Sequence, residues 1–177
     1  KVLKRMLDPQ EFYSPYGIRA MSKIYEKEPF VFNSSEREYV VHYTPAESDS
    51  TMFGGNSNWR GPIWFPINFL IVESLQKFHF YYGDSLQVEF PVNSGNYSNL
   101  HYVSEDLSKR LQHIFLKDNE GNRAFNGGNA LFNHDPYFKD YIMFYEYFHG
   151  DNGRGVGASH QSGWTATVAK LIQPKTE

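Results

Sequence analysis

Cysteine is absent from the 177-residue sequence. Its absence excludes disulfides, zinc–thiolate sites, iron–sulfur clusters and cysteine nucleophiles, and it fits a reducing compartment. The sequence also lacks any run near the ~18 apolar residues that a membrane helix needs, and its first ten residues lack the apolar core of a signal peptide. These absences predict a soluble, cytoplasmic chain that has no membrane partner.

Strong charge of either sign is absent as well. The 17 lysines and arginines nearly balance the 20 aspartates and glutamates, for a net charge of −3. No basic run forms the phosphate-neutralising stripe of a nucleic-acid-binding protein, so we expect no nucleic-acid partner. The content of 40% hydrophobic and 21% charged residues excludes a disordered chain. Because repeats and low-complexity linkers are missing, the sequence predicts one unit over residues 1–177.

Aromatic residues, in contrast, are abundant at 18% of the chain, with 13 tyrosines and 15 phenylalanines. Clefts that bind sugars have this composition, because the apolar face of a pyranose packs on a ring while its hydroxyls need polar partners. A core rich in tyrosine and phenylalanine is the alternative, and composition alone favours it.

Apolar spacing predicts a scaffold made mainly of helices. It indicates helices over residues 17–28, 66–82, 104–116 and 162–172, and an extended segment over residues 37–43. The connections between them are long, aromatic and rich in glycine. Since loops beyond about 12–15 residues are uncommon unless they are functional, the pattern predicts a cleft built by loops at one end of the scaffold.

The first loop with a chemical signature covers residues 53–64, directly before the strongest predicted helix. Trp59 and Trp64 flank Arg60, and Asn58 and Gly61 lie beside them. Such residues stack on a sugar ring, donate hydrogen bonds to its hydroxyls and allow close approach of the backbone. The alternative is a packed turn whose tryptophans are buried.

Two further loops carry candidate residues. Residues 144–151 place Glu146 among aromatic side chains, an environment that suits a carboxylate for acid–base chemistry. Residues 153–164 begin with three glycines at alternate positions, 153, 155 and 157, but no βαβ context precedes them and the lysine–serine ending of a phosphate loop is missing, so we expect no nucleotide or other cofactor.

Two other catalytic arrangements have weaker support. Ser159 and His160 belong to no G-x-S-x-G nucleophile elbow, which argues against a serine hydrolase triad. A metal site made from His149, Asp151 and His160 matches no ligand spacing that is typical of such sites, so no metal is expected.

Three long motifs, in this order, resemble the C-terminal part of glycoside hydrolase family 63: SPYGIRAMSK, YTPAESDSTMFGGNSNWRGPIWFPINFLIVESL and FYEYFHGDNGRGVGASHQSGWTATVAKLI. That family includes mannosyl-oligosaccharide glucosidases and the related mannosylglycerate and glucosylglycerate hydrolases. The resemblance covers nearly the whole chain. It implies a mainly α fold, the C-terminal half of an (α/α)6 barrel with long active-site loops.

The resemblance also implies an inverting mechanism, in which a carboxylic acid protonates the leaving oxygen and a second carboxylate activates water. By resemblance, Glu146 is the general base, Trp59, Gly61 and Trp64 line the sugar subsite at the cleaved bond, and Gln161 is a polar contact near the base. Four neighbours are further candidates for sugar contacts: Asn58, Arg60, His160 and Trp164.

No motif supplies the family's general acid, and neither Asp49 nor Asp151 matches it. A complete barrel of roughly twelve helices needs about 300 residues or more. We therefore expect a fragment of a longer glycosidase that is inactive by itself. Its expected partners are a carbohydrate substrate and the missing N-terminal half of the barrel.

The leading hypothesis is thus the base-bearing, sugar-binding half of an inverting exo-glycosidase that hydrolyses α-glucosides or α-mannosides of the oligosaccharide or glycosylglycerate type. A non-catalytic carbohydrate-binding module is the main alternative. A helical interaction domain is a third hypothesis, and it predicts that Trp59 and Trp64 are buried, with no cleft beside Glu146.

Overall fold

A computed structural model describes residues 1–35, 37–48 and 59–173 of the chain. This part of the chain contains six α-helices, eight short β-strands and three 3-10 turns. The helices are α1 (Val2–Met6), α2 (Phe65–Tyr82), α3 (Leu100–His113), α4 (Ala130–His134), α5 (Ser162–Thr165) and α6 (Val168–Ile172). The strands are β1 (Tyr13–Ser14), β2 (Gly17–Ile18), β3 (Phe30–Asn33), β4 (Glu38–Val41), β5 (Gln87–Glu89), β6 (Tyr97–Asn99), β7 (Tyr147–Phe148) and β8 (Gly155–Val156). The 3-10 turns are Lys23–Glu26, Gly83–Ser85 and Ala124–Asn126.

Helices α2 and α3 pack against each other and form the centre of the core. Phe65 at the start of α2 contacts Phe115 just beyond the end of α3, with ring centroids 5.8 Å apart. His79 near the end of α2 lies 5.5 Å from His101 at the start of α3, again between ring centroids. The two helices are therefore antiparallel. Among the described residues, no helix combines the length and apolar character needed to cross a membrane.

Helix α3 has one clearly apolar face. Its N-cap is Asn99, whose side-chain oxygen accepts a hydrogen bond of 2.9 Å from the backbone N–H of Tyr102. This cap satisfies one of the free N–H groups of the first turn. The buried apolar residues recur every three or four positions, as expected for one side of a helix: Leu100, Val103, Leu107 and Leu111.

All four sheets in the described part of the chain are antiparallel pairs: β1–β2, β3–β4, β5–β6 and β7–β8. Two of these hairpins contribute to the core, through Tyr13 and Ile18 in the first and Phe148 in the last. Buried Asn68 ties the first hairpin to α2, because its amide accepts from the N–H of Ile18 at 2.7 Å and donates to the Ile18 carbonyl at 3.0 Å. The first hairpin is thus fixed on α2.

The expected mainly α fold, half of an (α/α)6 barrel, is wrong. The structure is 38% helical and 17% strand, with several small antiparallel sheets, and a barrel fragment is not clearly shown. The physical reason lies in the long connections. The backbone N–H and C=O groups of these connections need hydrogen-bond partners, and short hairpins supply them. Such short strands leave too few alternating residues in the sequence for a strand to be predicted.

The individual elements follow the sequence predictions unevenly. The predicted helix over residues 66–82 and the extended segment over residues 37–43 are confirmed by α2 and β4. The predicted helix over residues 17–28 is wrong, because residues 17–18 pair in a hairpin and only Lys23–Glu26 form a 3-10 turn. The predicted last helix is divided into α5 and α6.

Candidate active site

Residues 59–64 lie directly before α2 and are held between two other segments of backbone. The N–H of Thr44 donates to the carbonyl of Arg60 at 2.6 Å. Ile63 and Phe148 exchange two hydrogen bonds, of 2.8 and 3.0 Å, and so form an antiparallel bridge. The loop before α2 is thereby joined to the strand that follows Glu146.

Gly61 is required by this arrangement. Its φ of +149° is one that side chains rarely adopt, and a Cβ there would lie 2.5 Å from the ring of Tyr43. The ring of Tyr43, itself buried, packs against the bare backbone of the glycine. Gly61 therefore has a packing role, and its predicted role in lining a sugar subsite stays a prediction.

Four aromatic rings form a cluster at this end of the molecule. Trp59 stacks on Trp64 with centroids 4.7 Å apart and planes 10° apart, and Trp64 also contacts Tyr147 at 4.9 Å and Trp164 at 5.7 Å. Trp64 and Tyr147 are buried, whereas Trp59 and Trp164 are 53% and 43% exposed. The two exposed indoles are the rings on which a sugar can pack.

This pattern distinguishes between the hypotheses for the loop. A packed turn or an interaction domain predicts that both Trp59 and Trp64 are buried. Only Trp64 is buried, since it is the centre of the stack. Trp64 therefore supports the cluster, and Trp59 is the residue of the pair that a ligand can reach.

Glu146 lies next to this cluster and is half-buried. Its backbone N–H donates to the carbonyl of Ala158 at 2.8 Å, and its carboxylate accepts from the N–H of Ala158 at 3.4 Å. A Cβ on Gly157 would lie 2.7 Å from Glu146 Oε2 and 3.0 Å from the ring of Tyr147. The carboxylate is thus held between the backbone of residues 157–158 and a ring of the cluster.

The residues after Gly157 bring three further candidates close to Glu146. The N–H of Gln161 donates to the carbonyl of Phe144 at 2.7 Å. Gln161, the N-cap of α5, is thus bound to the backbone two residues before Glu146. His160 is exposed, and its Nδ1 lies 2.8 Å from Ser159 Oγ. Trp164 on α5 completes the aromatic cluster. The structure therefore brings Glu146, Gln161, His160 and Trp164 to one region, and the roles expected for them stay predictions.

Two candidates of the second quoted motif remain: one is buried, and the other lies outside the described residues. Arg60 is only 1% exposed, and its guanidinium donates to Ser48 Oγ at 2.8 Å, so this conformation buries its charged group inside the protein. Asn58 lies outside the described residues. Asp49, one of the two carboxylates compared with the family's general acid, also lies outside the described residues.

A group of polar residues beneath the site was missed by the sequence analysis. Asp151 accepts from Arg19 Nη2 at 2.9 Å and from Lys23 Nζ at 3.0 Å. Tyr43, which packs on Gly61, lies near Lys23, with the ammonium 5.8 Å from its ring centroid. Arg19 and Lys23 belong to the first quoted motif, but these partners are separated by more than 120 positions, and no local pattern connects them.

The electrostatics of this cluster oppose an acid role for Asp151. Its partial burial acts to raise its pKa, but hydrogen bonds from Lys23 and Arg19 outweigh burial and hold the pKa below the ordinary value. Burial, and then the charge of Asp151, raises the pKa of Tyr43. Asp151 is therefore an ionised structural group and no proton donor.

The metal alternative also finds no support in the described residues. His149 Nδ1 accepts a hydrogen bond of 3.1 Å from the N–H of Asp151, and burial lowers the pKa of His149. Within residues 1–35, 37–48 and 59–173, no group of three histidine, aspartate or glutamate side chains is arranged to hold a metal ion.

Comparison with known proteins adds the family. Residues 1–107 match the C-terminal domain of glycosyl hydrolase family 63. The chain belongs to this family. The matched residues include the aromatic loop before α2 but end before Glu146, so the match by itself assigns no role to that carboxylate.

Individual relatives match almost the whole chain. It is 58% identical over 173 residues to an uncharacterized protein of Saccharomyces cerevisiae, covering 97% of this chain and 16% of that protein. It is 24% identical over 173 residues to the mannosyl-oligosaccharide glucosidase of Saccharomyces cerevisiae, and 24% identical over 172 residues to a probable mannosyl-oligosaccharide glucosidase of Schizosaccharomyces pombe. Each match covers 97% of this chain and 15% of the relative. The chain thus spans about a sixth of the length of these curated relatives.

Proposed function

We propose that this chain is the base-bearing, sugar-binding part of an inverting exo-glycosidase that hydrolyses α-glucosides or α-mannosides of the oligosaccharide or glycosylglycerate type. One observation carries the proposal: the Glu146 carboxylate lies beside an aromatic cluster in which Trp59 and Trp164 are exposed. Family membership supports glycoside hydrolysis, and the names of two relatives support a glucosidase acting on mannosyl-oligosaccharides.

In this proposal the exposed indoles hold the apolar face of the terminal sugar, and Gln161 and His160 contact its hydroxyls. Glu146 takes a proton from a water molecule as the water oxygen attacks the anomeric carbon. The bond from that carbon to the leaving oxygen breaks, and the leaving oxygen takes a proton from a carboxylic acid on the opposite side of the sugar. That acid belongs to another part of the longer protein, because Asp151 is already paired with two cations.

Glycosyl fluorides test the role of the base separately from that of the acid. Fluoride leaves with little help from a proton donor, so hydrolysis of α-glucosyl or α-mannosyl fluoride depends mainly on the base. In the longer protein that contains this segment, we expect Glu146→Gln to lower this rate by about 100- to 10,000-fold, while the exposed control Glu28→Gln leaves it unchanged. An unaltered rate in Glu146→Gln would show that another group activates the water.

Ordinary alkyl and aryl glycosides test the need for the acid. We expect the 177-residue chain to bind such glycosides and to release no sugar from them, because their leaving oxygens require protonation. Turnover of an alkyl α-glucoside by this chain would mean that the chain contains its own acid, and it would contradict this part of the proposal.

A non-catalytic carbohydrate-binding module remains the second candidate, because exposed rings such as Trp59 and Trp164 serve binding equally well. The module predicts that sugar binding is lost in Trp59→Ala and retained in Glu146→Gln. It also predicts that Glu146→Gln leaves the hydrolysis of glycosyl fluoride by the longer protein unchanged, whereas the proposed glycosidase loses it.

A further inference from the structure

A second concavity, which the proposed hydrolysis does not use, lies at the tip of the β7–β8 hairpin. Its volume is about 760 Å³, within the range of about 300–1,000 Å³ that is usual for small-molecule sites. Four segments form its walls: the β1–β2 turn, the residues that follow α3, the segment from Arg123 to α4, and Asn152 at the hairpin tip. We call it the amide pocket.

The lining of the amide pocket is dominated by uncharged polar side chains. Four asparagines line it, together with two histidines and the ring of Tyr16: Asn119, Asn122, Asn133, Asn152, His113 and His134. Amides and neutral imidazoles both donate and accept hydrogen bonds. Neighbouring hydroxyls of a sugar ring need this combination, and an aromatic side chain offers a surface to the apolar face of the ring.

Two of the three charged groups of the pocket already have partners. Asp118 accepts from the backbone N–H groups of Glu120 at 2.9 Å and Asn122 at 2.8 Å, and these bonds, that of Asn122 foremost, hold its pKa below the ordinary value. Lys117 is paired with Asp140 at 3.0 Å. The third charged group, the guanidinium of Arg123, donates to a carbonyl of the protein. The polar groups that remain open to a ligand are therefore mainly uncharged, and they favour a neutral ligand.

One wall is held in place by a buried asparagine. Asn133 is 7% exposed. Its side-chain oxygen accepts from the N–H of Arg123 at 3.2 Å and from Asn126 Nδ2 at 3.0 Å, and its nitrogen donates to the carbonyl of Gly127 at 3.1 Å. The guanidinium of Arg123 in turn donates to the carbonyl of Phe115. A wall fixed in this way loses little conformational entropy when a ligand binds.

Other polar groups of the pocket have no partner within the part of the chain that the structure describes. They include the side-chain amide of Asn119 and the imidazoles of His113 and His134. All three residues are exposed, so a ligand reaches them without a rearrangement. The pocket thus combines a fixed wall with free donors and acceptors.

We propose that the amide pocket binds a neutral sugar residue, at a site separate from Glu146 and its aromatic cluster. The proposal rests on the proposed function only for the class of ligand, a carbohydrate. Asn152 follows Glu146 by six positions, so their backbones lie at most about 20 Å apart even if the chain between them is fully extended. An oligosaccharide of a few residues covers that distance, and the pocket is suited to a sugar distal to the cleaved bond.

Histidine side-chain resonances provide the test, because His113 and His134 report on the amide pocket. The chain is titrated with methyl α-glucoside, methyl α-mannoside and maltose, and separately with inorganic phosphate. The unmodified chain is compared with Trp59→Ala, which removes an exposed ring of the cleft, and with Asn119→Leu, which blocks the pocket. The exposed loop residue Asn96 gives the matched control Asn96→Leu.

We expect the saccharides to shift the resonances of His113 and His134 saturably in the unmodified chain, in Trp59→Ala and in Asn96→Leu. In Asn119→Leu, the saccharide affinity measured from the His134 resonance should be at least tenfold lower. Shifts that disappear in Trp59→Ala would report only the cleft and would overturn the pocket. Shifts with phosphate alone would also overturn it, as an anion site. If the resonances of His113 and His134 do not shift with any saccharide while the longer protein still hydrolyses glycosyl fluoride, the pocket is rejected and the proposed function stands.

Discussion

The two sides of α2 differ sharply in their surroundings. On the inner side, Phe65 and Val72 are completely buried against α3 and its neighbours. On the outer side, Ile67, Leu70 and Phe78 are each more than half exposed. They line an apolar groove of about 640 Å³, to which α1 also contributes. One helix therefore carries two apolar faces, and only one of them is covered by the described residues.

The difference shows which contacts this chain supplies for itself. The start of α2 and the β7–β8 hairpin fix the position of Glu146 and the aromatic cluster through backbone hydrogen bonds, stacked rings and close glycine contacts. A helix that is apolar on all sides is typically buried in a larger structure, and the curated relatives are about six times as long. The outer face therefore agrees with a site that is shaped within this chain and works within a longer protein.

The largest effect on stability is expected where the inner face meets the site. Phe148 is fully buried, between the rings of Phe65 and Phe115, so Phe148→Ala should lower the free energy of unfolding by about 3–5 kcal/mol. Phe80 on the outer side is 92% exposed, and Phe80→Ala should change it by no more than about 0.5 kcal/mol. Urea denaturation measures both, and equal losses would abolish the contrast between the two faces.

The next largest effect concerns the loop before α2. Gly61→Ala introduces a Cβ 2.5 Å from the ring of Tyr43 at a φ of +149°, and overpacking together with backbone strain should cost about 2–4 kcal/mol. Gly163→Ala is the control, because a Cβ there meets nothing within 4 Å. Of the two variants, only Gly61→Ala should show a lower free energy of unfolding in urea denaturation and weaker sugar binding. Normal stability of this variant would mean that the close packing of Tyr43 is not required.

A smaller and pH-dependent effect is expected for Asp151. Its pKa is lowered in the folded state, so its stabilisation is present above the pKa of the unfolded chain and is lost as the pH falls through the folded value. Asp151→Asn should cost about 1–3 kcal/mol at pH 7 and less in acid. The exposed pair of Asp140 with Lys117 provides the control Asp140→Asn, with no measurable change. A loss in Asp151→Asn that does not depend on pH would contradict the charge cluster.

The smallest effect on folding belongs to the outer face itself. Leu70→Lys should alter the free energy of unfolding by no more than about 0.5 kcal/mol, because Leu70 is 58% exposed. It should, however, reduce self-association of the chain, since exposed apolar patches favour association. Sedimentation velocity at several concentrations measures this. A chain that is monomeric at every concentration would show that the outer face is not adhesive.

Sequence reasoning predicted α2 well, because its apolar run is long and a proline opens its first turn. It also placed Glu146, Gln161 and Trp164 together through one contiguous motif. It failed for the hairpins, since pairs such as Tyr13–Ile18 and Tyr147–Val156 are too short to leave a periodic signal. It also did not predict that Arg60 is buried.

Contacts between distant positions account for the remaining failures. The pairing of Arg19 and Lys23 with Asp151, and the packing of Tyr43 on Gly61, depend on tertiary structure. No spacing rule within a single sequence encodes such contacts. The candidate site was therefore predictable where its residues are neighbours in the sequence, and not where the fold assembles them.

Chemical rescue tests the central claim, that Glu146 is the base, most directly. Glu146→Ala removes the carboxylate and leaves space beside Gly157 and Tyr147 for a small nucleophile that needs no base, such as azide. The account predicts that azide restores consumption of an α-glycosyl fluoride by this variant of the longer protein and that NMR identifies the product as the β-glycosyl azide. Azide without effect, or an α-glycosyl azide as the product, would contradict it.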